Sequence, residues 1–395
     1  MQLLISHTAI TSSLGNGVEA TAHALRTRQS GLQPCRFDTA DLDTYVGQVA
    51  DAERMPVPEA LARFDCRNNR LALLGLAQDG FLNAMDRAKA KYSPSRIGVF
   101  LGTSTSGILQ TELAYRRRDP ATGALPADFD YAGTHNTFSL GHFVRAFLGL
   151  AGPAFVVSTA CSSSAKVFAS GARMIEAGVC DAAVVGGVDS LCLTTLYGFA
   201  SLGLVSAQPC RPFDVARAGI SIGEAAGFAL LEKPEASGRT GLMLLGTGES
   251  ADAHHMSSPH PDGLGARLAM QRALQDAGLE PADIDYINLH GTGSRSNDSA
   301  EEKAVADLFG TDTPASSTKG WTGHALGAAG IMEAIICAIA LEQGFLPGSV
   351  HTRQLDPEFR LRYLLENSAT QPRTVMSNSF GFGGTNCSLV LGLKQ

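Results

Sequence analysis

The sequence predicts an α/β fold made of two similar halves, and three observations carry that expectation. First, the β-branched run Phe155-Val-Val stops at small residues, and after Cys161 the apolar spacing becomes helical through Val167, Met174 and Ile175 to a stop glycine, Gly178. That pattern reads as strand, tight turn, helix. Second, Ala182 to Val188 is continuously apolar, as expected of a strand in a sheet buried on both faces, with parallel strands joined by helices. Third, a unit of helix, polar turn, strand and Gly-Thr occurs twice. It runs from about Asn69 through Ile97–Leu101 to Gly102-Thr103, and about 189 residues later from Leu268 through Ile284–Leu289 to Gly291-Thr292. Duplication explains the echo; such units are common enough that coincidence explains it too.

In chain order, Leu3 to Ile10 reads as a first strand, and Ser13-Leu-Gly-Asn-Gly opens a helix from Val18 to Arg26. Residues 31–58 read as mixed loop. One helix is predicted from Asn69 to Ala88 on the spacing of Leu71, Leu74, Leu76 and Phe81, then a buried strand from Ile97 to Leu101. Thr105 to Gly152, with Arg116-Arg117-Arg118 and little periodicity, reads as a lid or subunit-contact insertion. Gly219 to Gly227 reads as a glycine-rich loop before a strand from Phe228 to Leu231. The junction between halves falls within Lys233 to Arg239, giving an N-terminal half over 1–237 and a C-terminal half over 238–395. In the second half, Ile331 to Leu341 is an apolar helix, and a glycine turn joins strands Thr374–Ser377 and Cys387–Leu391.

Composition narrows the function. With 44% apolar and 17% charged residues among 395, and mean hydropathy near zero, this is ordinary globular material with a large core. Many of its 43 glycines follow apolar strands, where backbone must turn sharply beside a ligand, and this favours an enzyme. A net charge of −7 argues against a general nucleic-acid or anionic-membrane binder, leaving room for a local basic patch. The eight cysteines contain no CxxC and no even framework, so neither a zinc ribbon nor a disulfide scaffold is expected; the reduced cytoplasm fits. No signal peptide and no uncharged apolar run of membrane-spanning length is read from the chain.

Cys161, at a strand-to-helix corner, would hold its sulfur at a helix N-terminus, where unpaired N–H groups favour thiolate. The same stretch also suits a small buried cysteine at a packed strand end. His290 leaves a strand in Leu-His-Gly-Thr-Gly-Ser, and His324 lies in Lys319-Gly-Trp-Thr-Gly-His-Ala-Leu-Gly, just before the apolar helix. Glu333 inside that helix needs a partner, and Lys319 is the nearest candidate. A single histidine beside a strand is ordinarily structural. A corner cysteine with two such histidines, in a duplicated α/β core, has what acyl transfer through a thioester requires: a nucleophile, hydrogen-bond donors and backbone N–H groups for an oxyanion.

Ser158-Thr-Ala-Cys161-Ser-Ser-Ser, His290-Gly-Thr-Gly, Lys319 to Gly330 with His324, and Asn378-Ser-Phe-Gly-Phe-Gly-Gly-Thr-Asn386 together resemble the β-ketoacyl-acyl-carrier-protein synthases of the elongating Cys-His-His type. The resemblance spans essentially the whole chain. It implies the thiolase fold, two pseudo-duplicated halves in an α-β-α-β-α five-layer sandwich, within an obligate dimer. It implies that Cys161 takes an acyl chain from the 4'-phosphopantetheine of an acidic acyl carrier protein, and that His290 and His324 bind a malonyl thioester and assist its decarboxylation. Lys319, paired with Glu333, would order the site. The N–H groups of Cys161 and Phe382 would form the oxyanion hole, Phe382 would also be a gate, and Thr292, Phe380, Gly381 and Ile108 would contact substrate. No metal and no enzyme-bound cofactor are expected. More narrowly, Cys66-Arg-Asn-Asn-Arg-Leu-Ala-Leu-Leu, the short N-terminus and Gly102-Thr-Ser-Thr-Ser-Gly look like ketosynthases of bacterial aryl polyene and xanthomonadin-type pigment clusters, some of which pair with a chain-length-factor subunit. Ser294 in place of the usual threonine after His-Gly-Thr-Gly, Gly-Glu224-Ala-Ala-Gly in place of a glycine-richer version, and Ser6-His7-Thr8 near the start put a housekeeping fatty-acid role in doubt.

Other readings separate on single features. A thiolase would carry a second CxGxG cysteine motif, whereas Cys387 is followed by Ser-Leu-Val; a non-catalytic chain-length factor would lack Cys161; a cysteine hydrolase would release free acid. His254-His255 with His260 fits no helical zinc motif and reads as loop. Arg67, Arg70, Arg116 to Arg118 and Arg211 could dock the carrier protein, or could simply be a solvated face.

Overall fold

The computed structural model describes residues 2–234 and 241–394. Its first half contains β1 (Leu3–Ser12), β2 (Gly15–Asn16), α1 (Val18–Thr27), β3 (Gln33–Pro34), β4 (Tyr45–Gly47), α2 (Arg67–Leu76), α3 (Phe81–Tyr92), β5 (Ile97–Gly102), α4 (Ile108–Arg116) and α5 (Phe138–Phe147). There follow β6 (Ala154–Val157), α6 (Ser163–Glu176), β7 (Ala182–Asp189), α7 (Leu193–Ser201), β8 (Ile222–Gly223) and β9 (Ala225–Glu232). The second half contains β10 (Gly241–Ala251), α8 (Leu264–Ala277), β11 (Tyr286–Asn288), α9 (Arg295–Phe309), β12 (Ala315–Ser316), α10 (Lys319–Thr322), α11 (Ala329–Gln343), β13 (Thr374–Gly381) and β14 (Thr385–Lys394).

The main sheet runs β12-β11-β13-β14-β10-β1-β9-β7-β5-β6, with β2 paired to β1. Numbering the five long-path strands within each half gives the same order twice, third-second-fourth-fifth-first. The senses agree as well. In each half the second strand is parallel to the third and fourth, and the fifth is antiparallel to its neighbours. The halves meet where β1 pairs antiparallel with β10, at Leu3 with Leu244 and Leu4 with Met243. The predicted Gly-Thr echo therefore falls at the end of the second strand in the first half and just beyond it in the second. The expected division at 237/238, inside the expected junction from Lys233 to Arg239, lies outside the described residues.

Layering follows from which faces are apolar. α6 and α11 lie between the two halves of the main sheet, α2, α3 and α5 cover the first half and α8 covers the second, with α9 packed on α8. α11 is buried along almost its whole length, and Leu326–Gln343 is long and apolar enough to cross a membrane. With 89% of that run buried inside the molecule, it is a core helix.

Four expectations are corrected. The helix predicted from Asn69 to Ala88 breaks into α2 and α3, because Asp79 and Gly80 are left-handed, with φ of 54° and 70°. The Asp79 carboxylate accepts the N–H groups of Val18 (2.8 Å) and Ile10 (3.2 Å), which fixes the break. The insertion 105–152 contains two helices, α4 and α5. β7 is buried at every residue as expected, but the sheet is mixed, since β9 runs antiparallel to it. Gly227, expected in a loop, lies inside β9, where a Cβ would come 2.9 Å from Ile331; small size lets α11 approach the sheet.

Candidate active site

Cys161 sits where β6 hands over to α6, and the corner is tightly braced. Ala160 adopts φ of 51°, uncommon for a residue with a Cβ. The Ser163 hydroxyl donates to Ala160 O (2.6 Å) and accepts the Thr159 N–H (2.9 Å). Gly102 lets α6 start close to β5, since a Cβ there would fall 2.4 Å from Ser164 N. Cys161 is 5% exposed. Burial pushes its thiol up to about 11, against the pull of the Lys319 charge and the Phe382 N–H, with the Asp189 and Glu333 carboxylates adding to the rise. The expectation of a thiolate stabilised by the helix start is thus corrected: the position is as predicted, but desolvation outweighs it.

His324 precedes α11 as Cys161 precedes α6. The two helices cross where Gly330 meets Ala165, with a Cβ on Gly330 falling 2.6 Å from Ala165 N, and Ser164 Oγ accepts the Ile331 N–H at 3.0 Å. This crossing brings His324 Nε2 to 3.1 Å from Cys161 Sγ. His324 is held on its other sides by backbone. Its N–H donates to Ser221 O (2.7 Å), its carbonyl accepts the Gly223 N–H (2.9 Å), and its Nδ1 accepts the Leu326 N–H (3.3 Å). With Nδ1 accepting, the neutral ring carries its proton on Nε2 and donates toward sulfur.

His290 ends the path from β11, its ring centroid 5.2 Å from that of His324 and nearly perpendicular to it. Its N–H and that of Gly291 each donate to Glu301 at 2.7 Å. The Lys319 ammonium donates to His290 O, to His290 Nδ1 (3.3 Å) and to Glu333 Oε1 (2.5 Å), so this imidazole too presents Nε2–H. Burial and the Lys319 charge hold both histidines well below the usual imidazole range. Burial raises Glu333 to about 7, opposed by Lys319.

Cys161, His290, His324, Thr292, Phe380, Gly381 and Phe382 line one pocket. Lys319 and Glu333 lie fully buried behind it. Ile108 does not line it; that residue opens α4 and packs in a separate cluster with Phe37, Leu191 and Leu326. The pocket adds groups that sequence reasoning missed. Phe199 of α7 packs against Phe382 with the rings tilted by 49° and their centroids 5.4 Å apart and, with Leu204 and Ile220, forms an apolar wall, while Ser257, Ser258 and Asn297 give a polar rim. Only Ser294 and its neighbours, directly after His-Gly-Thr-Gly, were within reach of the motif. Arg67 is corrected as a docking residue: it is 3% exposed and bound to Glu224 and Glu53. Arg116 pairs with Asp38 and Arg117 with Asp128 at the surface. His254, His255 and His260 lie in the segment between β10 and α8, as expected of a loop.

Residues 5–237 match the family described as "Beta-ketoacyl synthase, N-terminal domain", and residues 243–353 match "Beta-ketoacyl synthase, C-terminal domain". The chain is 32% identical over 415 residues to a Vibrio harveyi protein named 3-oxoacyl-[acyl-carrier-protein] synthase 2, covering 98% of each. It is 40% identical over 261 residues to the mitochondrial 3-oxoacyl-[acyl-carrier-protein] synthase of Arabidopsis thaliana, a match that takes in 61% of this chain and 57% of that protein. A ketosynthase from Xenorhabdus doucetiae, solved in complex with its chain length factor, superposes with a TM-score of 0.90 at 38% identity, covering 99% of this chain and 98% of its own. With both domains matched and the thiolase-like layering present, the chain belongs to the beta-ketoacyl synthase family, acyltransferases that condense acyl groups into β-ketoacyl products.

Proposed function

We propose that this chain condenses an acyl group held on Cys161 with malonyl-acyl carrier protein to give a β-ketoacyl-acyl carrier protein two carbons longer. The observation that carries the reading is the convergence of one thiol with two imidazoles that both present Nε2–H. In the first step the Cys161 sulfur attacks the acyl thioester carbonyl, the carrier's phosphopantetheine thiol leaves, and the thiol proton passes to the departing sulfur. The N–H groups of Cys161 and Phe382 suit the oxyanion, the second already directed at the sulfur. In the next step malonyl thioester loses carbon dioxide, leaving an electron pair delocalised onto the thioester oxygen. His290 and His324, held neutral, stabilise that oxygen as donors. The carbanion then attacks the Cys161 thioester and the sulfur leaves, a step governed by positioning.

Cys161, His290 and His324 also place three ligand atoms within 4.8 Å of one another, a spacing a metal could use. Their chemistry favours an anion, since both rings point N–H groups inward and the Lys319 ammonium lies behind them. Lys319 with Glu333 orders the site, and Thr292, Phe380 and Gly381 contact the incoming arm. We assign the nucleophile to an N-terminal half, 1–237, the imidazoles to a C-terminal half, 238–395, and the protein to the cytoplasm. Its carrier protein is acidic and would meet the exposed run Arg116 to Arg118, where it would compete with Asp38 for Arg116 and with Asp128 for Arg117. The complex of the similar Xenorhabdus ketosynthase with its chain length factor supports a dimer with such a subunit, the alternative being a second copy of this chain. The aryl polyene branch of pigment synthesis rests on the resemblance carried by Cys66-Arg-Asn-Asn-Arg-Leu-Ala-Leu-Leu and Gly102-Thr-Ser-Thr-Ser-Gly.

The test is intact-mass analysis with acyl and malonyl carrier proteins. Cys161→Ala should lose acylation and condensation by on the order of a thousandfold or more. His290→Ala and His324→Ala should still acylate while decarboxylation falls on the order of 10²- to 10³-fold. Normal condensation by Cys161→Ala would refute the reading, and rapid release of free acid from the wild type would make it a hydrolase.

A further inference from the structure

Asp189 ends β7 with its carboxylate fully buried, and its partners are hydroxyl and backbone donors. Its Oδ1 accepts Thr103 Oγ1 (2.6 Å), Ser104 N (2.7 Å), Thr105 N (2.9 Å) and Thr105 Oγ1 (2.9 Å). Its Oδ2 accepts the Ser104 hydroxyl and Gly327 N (2.6 Å). Six donors on two oxygens satisfy a buried charge. One of the six lies on a different element from the rest. Gly327 follows His324 by three residues, and the turn between them contains Leu326 at φ of 49°, a conformation a leucine keeps only when its surroundings enforce it. The fit is close: a Cβ on Gly327 would fall 2.8 Å from Asp189 Oδ2 and 2.9 Å from Ser104 N.

We infer that Asp189 is a positioning residue for the condensation: by holding the Gly327 N–H it fixes the left-handed Leu326, whose N–H sets the His324 tautomer and aims Nε2–H at the Cys161 sulfur. The inference rests on the reading that His324 assists decarboxylation. The Leu326 N–H reaches His324 Nδ1 only while the turn keeps this shape, and the ring's other hydrogen bond is the one to the Cys161 sulfur that the tautomer governs. The titratable and charged groups around the imidazole are Cys161, His290, Lys319 with Glu333 behind it, and Asp189 across the turn.

Asp189→Asn separates the two oxygens. An amide oxygen in the Oδ1 place keeps four donors, and Ser104 can rotate its hydroxyl to accept from the new NH₂. The Gly327 N–H cannot, so two donors would face each other where 2.6 Å now separates donor from acceptor. The experiment measures acyl transfer to Cys161 and decarboxylation of malonyl carrier protein separately, for the wild type, Asp189→Asn and His324→Ala. Decarboxylation kcat in Asp189→Asn should fall on the order of tenfold to a hundredfold, with KM and acyl transfer unchanged. A second readout is the pH profile. Burial and the Lys319 charge, which hold His324 low, are untouched by Asp189→Asn, so neither enzyme should lose rate to imidazole protonation as pH falls through 6.5, and the kcat defect should be the same across that range. Equal slowing of both half-reactions would mean a purely structural role and overturn the inference, as would a normal decarboxylation rate. If His324→Ala itself decarboxylates normally, the role of His324 falls and the inference with it; a slow His324→Ala beside a normal Asp189→Asn refutes the inference alone. Should Asp189→Asn fail to fold, Gly327→Ala disturbs the same contact with the carboxylate intact, and normal decarboxylation by that variant overturns the inference.

Discussion

The two halves of this chain share one strand order and use the loop after the second strand in opposite ways. In the first half, Thr103, Ser104 and Thr105 turn their hydroxyls inward onto the Asp189 carboxylate. In the second, Glu301 and Asp298 hold the loop entirely by backbone, accepting the N–H groups of His290, Gly291, Thr292 and Gly293. A loop anchored through its side chains has none left for chemistry. Anchoring through backbone leaves His290 free to face the pocket. The loops after the third strand differ too, the first half supplying Cys161 and the second His324.

The comparison can be broken most severely at Lys319, for which the first half has no counterpart in the site. Lys319→Met leaves Glu333 buried and alone, and unfolding in denaturant should show a loss of about 3–5 kcal/mol. Lys319→Met with Glu333→Leu should recover much of it without recovering condensation. If the single variant is as stable as the wild type, the pair does not order the site.

The two anchoring modes are sharpened by a matched pair. Glu301→Leu strands the His290 and Gly291 N–H groups, and should cost about 1–3 kcal/mol in denaturant unfolding together with most of the decarboxylation rate. Thr103→Val removes one of six donors to Asp189, so it should cost about 1 kcal/mol and leave decarboxylation near wild type. Equal effects on the rate would show that both loops serve the chemistry alike.

The smallest signal concerns the sulfur. Alkylation requires thiolate, and a raised value keeps the thiol protonated. In the free enzyme, modification of Cys161 by iodoacetamide should therefore keep climbing with pH beyond the ordinary 9.0 toward about 11. A plateau near neutrality would mean that the start of α6 outweighs burial.

Much of this was legible from residues alone. The corner at Cys161, the histidines after strands and the Lys319–Glu333 pair all follow from local pattern, because turns and buried charges impose strict residue requirements. The Gly102-Thr103 and Gly291-Thr292 echo marks equivalent positions, although the strand order that makes them equivalent has no local signature. The break at Asp79 was hidden because the apolar spacing runs through it, and only the distant Ile10 and Val18 N–H groups reveal why the chain turns. Arg67 resembles a surface arginine until Glu224, 157 residues away, is brought beside it. Phe199 and the polar rim reach the pocket only through tertiary folding.

The contact of Gly330 with Ala165 links reactivity to the interior. Nucleophile and imidazole stand at the starts of two crossing helices, so their separation is metered by how closely those rods approach, and a bare α-carbon sets that gauge. Added bulk there, deep in the core and remote from any incoming thioester, would lengthen the gap between sulfur and ring and detune the enzyme with every reacting group intact.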